Sequence, residues 1–196
     1  MKLILFDFDG TITNRDTLFA FTRFTTGNFR YIVGLSIVFP ILVLHKIGLI
    51  NSHLTKEFFL KHFFRNFDQK QFEIKCHEFC EHILPNIIRK DAYQAIKAHK
   101  QAGDKLVIVS ASPENWILPW ANREGIQVIS TKLAFSNGKY TGKLGSLNCN
   151  GLEKANRIKQ ELRLNEYAHI IAYGDSPGDW EMFRLAHEHY FKIFTL

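Results

Sequence analysis

The chain has 196 residues, 46% of them apolar, a net charge of +6 and three cysteines. That size and apolar share fit a soluble protein with a core, built as one domain or as one domain carrying a large insertion. Three cysteines are too few for a disulfide framework and point to a reducing cytoplasm, and no recognition motif accompanies the charge to suggest nucleic acid.

Leu3-Ile4-Leu5-Phe6 is a continuous apolar run, the pattern of a buried parallel strand. It ends in Asp7-Phe8-Asp9-Gly10-Thr11, so early that no room is expected for a secretory leader. Residues 14–90 are different in kind. They hold 12 of the 18 phenylalanines, and 11 Lys/Arg against 6 Asp/Glu. Phe58, Phe59, Phe63, Phe64 and Phe67 recur at helical core spacing, which predicts an all-helical insertion over 14–90. Within it, Tyr31–Leu44 is almost wholly apolar, with Pro40 inside. Fourteen residues fall short of the roughly 20 a membrane span needs, so a buried or interfacial hairpin is expected there.

After residue 90, strands and helices alternate. Helical patterns cover Asp91–Gln101, Pro113–Arg123, Leu152–Leu164 and Asp179–His187. Strand-like runs cover Lys105–Val109, Gln127–Ser130 and His169–Tyr173, with a further one at Tyr190–Phe194. This alternation predicts an α/β fold with a doubly wound parallel sheet, its core formed by residues 1–13 and 91–196. Asn137-Gly138 between extended segments predicts a β-hairpin over Lys132–Leu144.

The candidate chemistry sits where strands end. In an open parallel sheet, ligands bind beyond the carboxyl ends of the strands. Here those ends supply Asp7 and Asp9, Ser110, and Asp175 with Asp179. Crowded carboxylates repel one another, and a divalent cation relieves them. An all-oxygen donor set suits Mg²⁺. Cys76 and Cys80 share one helical face without a distant matching pair, so core thiols are expected there rather than a zinc site. Arg15 and Asp16 follow the first cluster directly, where Arg15 could meet an anionic substrate but a surface ion pair is the default expectation.

Four segments resemble the motifs of the haloacid dehalogenase-like superfamily. They are Asp7-Phe8-Asp9-Gly10-Thr11, Ser110 after its apolar run, Lys154 in Asn150-Gly151-Leu152-Glu153-Lys154, and Gly174-Asp175-Ser176-Pro177-Gly178-Asp179. Their order is similar to that of the phosphoserine phosphatase-like subgroup, which carries a helical cap between its first two motifs. The resemblance implies a Mg²⁺-dependent phosphatase with the first strand at the centre of the sheet. It implies Asp7 as nucleophile, through an aspartyl-phosphate intermediate, and Asp9 as acid and then base. It implies Ser110 and Lys154 on the phosphoryl oxygens. It implies metal ligation by Asp7, the Asp9 backbone carbonyl and Asp175, with Asp179 a ligand or an orienter.

The implied substrate is a phosphorylated small molecule such as phosphoserine. The apolar 31–44 run also resembles the cap segment of phosphatidylglycerophosphate phosphatases, which implies a lipid phosphate and peripheral membrane contact. A homodimer through the cap would cover the same run. Phosphoryl transfer to an acceptor other than water is a further enzymatic reading, and a noncatalytic membrane- or partner-binding module is the alternative of another class. That last reading predicts erosion of the catalytic set, which is intact in the sequence.

Overall fold

The computed structural model describes residues 1–195. In chain order the elements are β1 (Lys2–Phe6), α1 (Thr17–Thr26), α2 (Asn28–Lys46), α3 (Ser52–Phe64), α4 (Gln69–His82), α5 (Lys90–Gln101), β2 (Lys105–Pro113), α6 (Leu118–Glu124), β3 (Gln127–Thr131), β4 (Leu133–Ser136), β5 (Lys139–Leu144), α7 (Leu152–Glu161), β6 (His169–Gly174), α8 (Trp180–Phe183) and β7 (Glu188–Phe191). Among the described residues the main sheet has five parallel strands in the order β3-β2-β1-β6-β7, with β1 at its centre as expected.

Period-two alternation in the buried strands fills both faces of that sheet. Leu3 and Leu5 of β1 pack with Val107, Val109 and Ile158 on one side. Ile4 and Phe6 pack with Ile108, Ile96 and Trp120 on the other, in a core that runs without a break into the helical insertion. Four helices, α1 to α4, form that insertion between β1 and β2. Asp16, Asn51 and Asp68 begin three of them, each carboxylate or amide oxygen accepting backbone N–H groups of the first turn.

The phenylalanine excess has a structural reason. Phe21 is fully buried, stacked on Trp116 at 4.6 Å and ringed by Phe64, Phe72 and Phe79 at 5.4–5.7 Å. Trp116 belongs to the core segment after β2, so one aromatic cluster welds the insertion to the sheet. The hairpin joins the same cluster. Asn137 and Gly138 take φ of 49° and 70°, the paired positive values of a tight hairpin turn. Tyr140 packs against Phe72, while the Asn66 amide donates to the Tyr140 carbonyl and the Gln69 amide to the Gly138 carbonyl. The hairpin therefore serves the helical insertion more than the sheet.

Three local expectations need correction. The 31–44 run is not a hairpin but part of one continuous helix, α2, with Pro40 inside it. Pro113 does not open a helix, because β2 runs through it and α6 starts only at Leu118, beyond a 3₁₀ turn. Pro119 then sits in the first turn of α6, where a missing N–H costs nothing. The last strand falls at Glu188–Phe191, earlier than Tyr190–Phe194, because its pairing with Ile171–Gly174 fixes its register. Cys76 and Cys80 are buried in α4 and Cys149 is buried in the core, all as free thiols.

Truncating the aromatic weld tests its importance. Phe21→Ala should cost about 3–5 kcal/mol, the usual range for emptying a buried aromatic site. Urea unfolding measures it, and a loss below about 1 kcal/mol would show that the cluster is not shared between insertion and core.

Candidate active site

The site forms where the carboxyl ends of β1, β2 and β6 meet the start of α7. Asp7 follows β1 directly, and its amide donates to the Tyr173 carbonyl of β6 at 2.9 Å. The loop beyond it turns at Gly10, with φ of 82°. A Cβ there would overlap the Asp175 carboxylate, so only glycine lets the two loops approach.

Lys154, in the first turn of α7, is buried with its ammonium between two carboxylates. Its Nζ lies 2.5 Å from Asp7 Oδ1 and 2.6 Å from Asp179 Oδ1. Burial alone would lower the lysine, but Asp7 and Asp179 outweigh it and hold the ammonium above its usual range. Burial also pushes the Asp7 carboxyl well above its usual 3.8, against the pull of Lys154, and raises Asp175. The carboxylates therefore outnumber the buried cation that serves them.

Asp7, Asp175 and Asp179 can each offer an oxygen, all within 4.8 Å of one another, as a ligand set for a cation. The set is all oxygen, which fits a hard divalent ion. The three contribute differently. Asp175 Oδ1 accepts a long hydrogen bond from Thr11 Oγ1, at 3.4 Å. Asp179 is fully engaged: Oδ1 meets Lys154, and Oδ2 accepts from the amides of Asp175 and Ser176 and from Ser176 Oγ at 2.9–3.1 Å. Asp179 thus shapes the loop that carries Asp175. The Asp9 carboxylate lies outside this group.

Asp9 is oriented from the insertion side. Its Oδ1 accepts from the Thr17 amide at 2.6 Å and its Oδ2 from Ser112 Oγ at 2.5 Å. Thr17 Oγ1 donates to Ser112 Oγ, and Trp116 Nε1 donates to Thr17 Oγ1. Every donor in this chain points toward Asp9. Ser110 is buried, and its Oγ accepts the Ser112 amide at 3.0 Å. The part of β2 that faces the cavity is Ala111 and Ser112.

Asp7, Asp9, Ser112, Lys154 and Asp175 line a cavity of about 420 Å³ that also takes in Arg15, Asp16, Lys56 and Asn150. Lys56 comes from α3 and donates to the Ala111 carbonyl at 2.6 Å and to Asn148 Oδ1 at 2.9 Å. Desolvation lowers its ammonium, against the attraction of Asp16 and Asp9. The sequence singled out Asp7, Asp9, Ser110, Lys154, Asp175 and Asp179, of which Ser110 is not in the cavity lining, and it named only the backbone at Ser112 and missed that side chain, Thr17, Lys56 and Asn150. Ser112 had a signal, since it lies two residues past Ser110 on one strand. Lys56 had none, because a lysine on a helical insertion can be placed over the sheet only once the fold is known.

The model of the haloacid dehalogenase-like hydrolase family matches residues 4–184. The chain belongs to that family. It is accordingly a phosphoric monoester hydrolase of the haloacid dehalogenase type. Protein CicA of Caulobacter vibrioides is 32% identical over 198 residues, covering 98% of this chain and 86% of CicA. A Bordetella pertussis Tohama I protein of unknown function superposes with a TM-score of 0.82 at 21% identity, covering 96% of this chain and 88% of the other. A substrate-bound phosphoserine phosphatase superposes with a TM-score of 0.72 at 20% identity, covering 97% and 85%. At those identities the two structures bear on the fold alone.

The buried lysine can be tested by pH. A carboxyl whose pKa rises on folding favours the native state while protonated, so its contribution is lost as pH climbs above its unfolded value near 3.8. Lys154→Met removes the ammonium that restrains this rise. In metal-free buffer the variant should lose about 3–5 kcal/mol at neutral pH. Its deficit should widen as pH climbs above the unfolded carboxyl value near 3.8, because Asp7 loses the ammonium that offset its burial. A deficit independent of pH would mean that Lys154 contributes packing rather than charge.

Proposed function

We propose that the protein hydrolyses a phosphate monoester in a Mg²⁺-dependent reaction, through an aspartyl phosphate on Asp7. The observation that supports this reading most is the arrangement around Asp7. Its carboxylate is fixed by Lys154, stands beside Asp175, and shares one cavity with a separately oriented Asp9.

In the first step an Asp7 carboxylate oxygen attacks phosphorus, and the bond from phosphorus to the ester oxygen breaks. Asp9 gives its proton to the departing oxygen. In the second step Asp9 takes a proton from water, whose oxygen attacks phosphorus, and the bond to Asp7 breaks to release phosphate. The Lys154 ammonium keeps its proton throughout and offsets charge on the phosphoryl group, with Ser112 and the backbone near Ala111 facing the same space. Ser110 acts from beneath, through the Ser112 amide. Mg²⁺, held by Asp7 and Asp175 with Asp179 orienting the loop, would supply positive charge to the phosphoryl oxygens.

A second, narrower reading concerns the alcohol part of the ester. A neighbouring cavity of about 230 Å³ shares Asp16, Leu18, Lys56 and Asn150 with the catalytic one. Phe19, Leu42 and Phe59 line it farther out, toward α2. This apolar extension favours a phosphate ester with an apolar tail, of the lipid-phosphate kind, over a compact zwitterion such as phosphoserine.

Turnover of p-nitrophenyl phosphate should require Mg²⁺, stop with EDTA and be lost by several orders of magnitude in Asp7→Asn. Asp9→Asn should slow alkyl phosphates far more than the nitrophenyl ester, whose leaving group departs with little protonation. Full activity in Asp7→Asn, or equal losses on both ester types, would contradict these assignments.

A further inference from the structure

We propose that the outer face of α2 lies on the surface of an anionic lipid bilayer, with the helix in the plane of the membrane. Helix α2 is 19 residues long, and apolar side chains dominate the side turned away from the protein. Phe29, Ile32, Ile37 and Phe39 are 81%, 66%, 54% and 60% exposed, and Val33 and Val43 continue the stripe. Ile47 and Leu49, in the turn after the helix, extend it further at 63% and 71%. A contiguous apolar surface of this length, left open to water, marks a contact.

Charge selects the partner. From Thr17 to Lys56 the chain has no Asp or Glu, while it carries Arg23, Arg30, Lys46 and Lys56. Arg30 and Lys46 stand exposed near the two ends of the apolar stripe. An apolar helix face flanked by cations and free of carboxylates complements acidic headgroups over an acyl layer. A second copy of this chain would instead set one basic, acid-free segment against another, which is unfavourable.

Packing sets the orientation. Gly34 and Val38 are buried on the inner side of α2, and a Cβ on Gly34 would overlap the Phe63 ring of α3. The helix is therefore laid against α3 along its length, and a crossing would strip it from that seat. The second cavity takes in Leu42 and His45, on the same side of the helix as Gly34 and Val38, so the proposed membrane face is the opposite one.

Co-sedimentation of the full chain with vesicles tests this, and it reads no catalysis, so its failure would leave the phosphatase reading untouched. Binding is expected to an equal mixture of phosphatidylcholine and phosphatidylglycerol at low salt, with little binding to phosphatidylcholine alone and a decline as salt rises. Ile37→Asp, on the exposed stripe, should cut binding by about tenfold. Arg30→Gln and Lys46→Gln should each cut it by about fivefold. Thermal unfolding of each variant checks that it is folded. Three results would overturn the proposal: no binding to the mixed vesicles at low salt, equal binding by Ile37→Asp, or a solution dimer that Ile37→Asp dissociates.

Discussion

A single buried ammonium organises this molecule. Lys154 reaches from α7 into the gap between the end of β1 and the loop after β6, where it meets Asp7 and Asp179 together. Removing three ionised groups from water is expensive, and the attraction between them offsets that cost only while all three stay in register. The constraint explains the surrounding detail. Asp179 spends its second oxygen on two backbone amides and a hydroxyl of the same loop, and Gly10 leaves space for the Asp175 carboxylate. With Asp175 added, negative charge exceeds positive, and the excess faces a cavity that an oxygen-seeking cation and a phosphoryl group can enter.

The helical insertion completes this site as well as covering it. Asp9 belongs to the β1 loop, yet the groups that orient its carboxylate include Thr17, at the start of α1, and behind it Trp116. Trp116 also stacks on Phe21, so the aromatic weld between insertion and sheet and the orientation of Asp9 share a side chain. Loosening the one should disturb the other. Lys56 adds a second tie, from α3 to the carbonyl of Ala111 beside the cavity.

Much of this was legible in the sequence because it depends on strong local signals. Apolar runs that each end in a carboxylate or hydroxyl marked β1, β2 and β6, and their alternation with helices fixed the parallel sheet. Asn137-Gly138 announced its hairpin for the same reason: few residues take two positive φ values in succession. What stayed hidden depends on tertiary geometry. The 31–44 run reads as a buried or interfacial hairpin because Pro40 disfavours a helix interior, yet α2 passes through it with its outer face unfilled. Ser110 was legible as a strand-end hydroxyl, but which of Ser110 and Ser112 faces the cavity depends on how β2 continues to Pro113. Thr17 and Lys56 carry no motif, and only the folding of the insertion over the sheet brings them to Asp9 and Ala111.

Asp7 and Asp175, with Lys154 and Asp179 holding them, offer oxygens to a divalent cation that would balance the local excess of negative charge. Thermal unfolding against Mg²⁺ concentration measures this without reference to any substrate. A ligand that binds only the native state raises the unfolding midpoint as its concentration passes the dissociation constant. The wild-type chain should show that rise, and Asp175→Asn should lose most of it. A wild-type midpoint indifferent to Mg²⁺, or an equal rise in Asp175→Asn, would contradict the account.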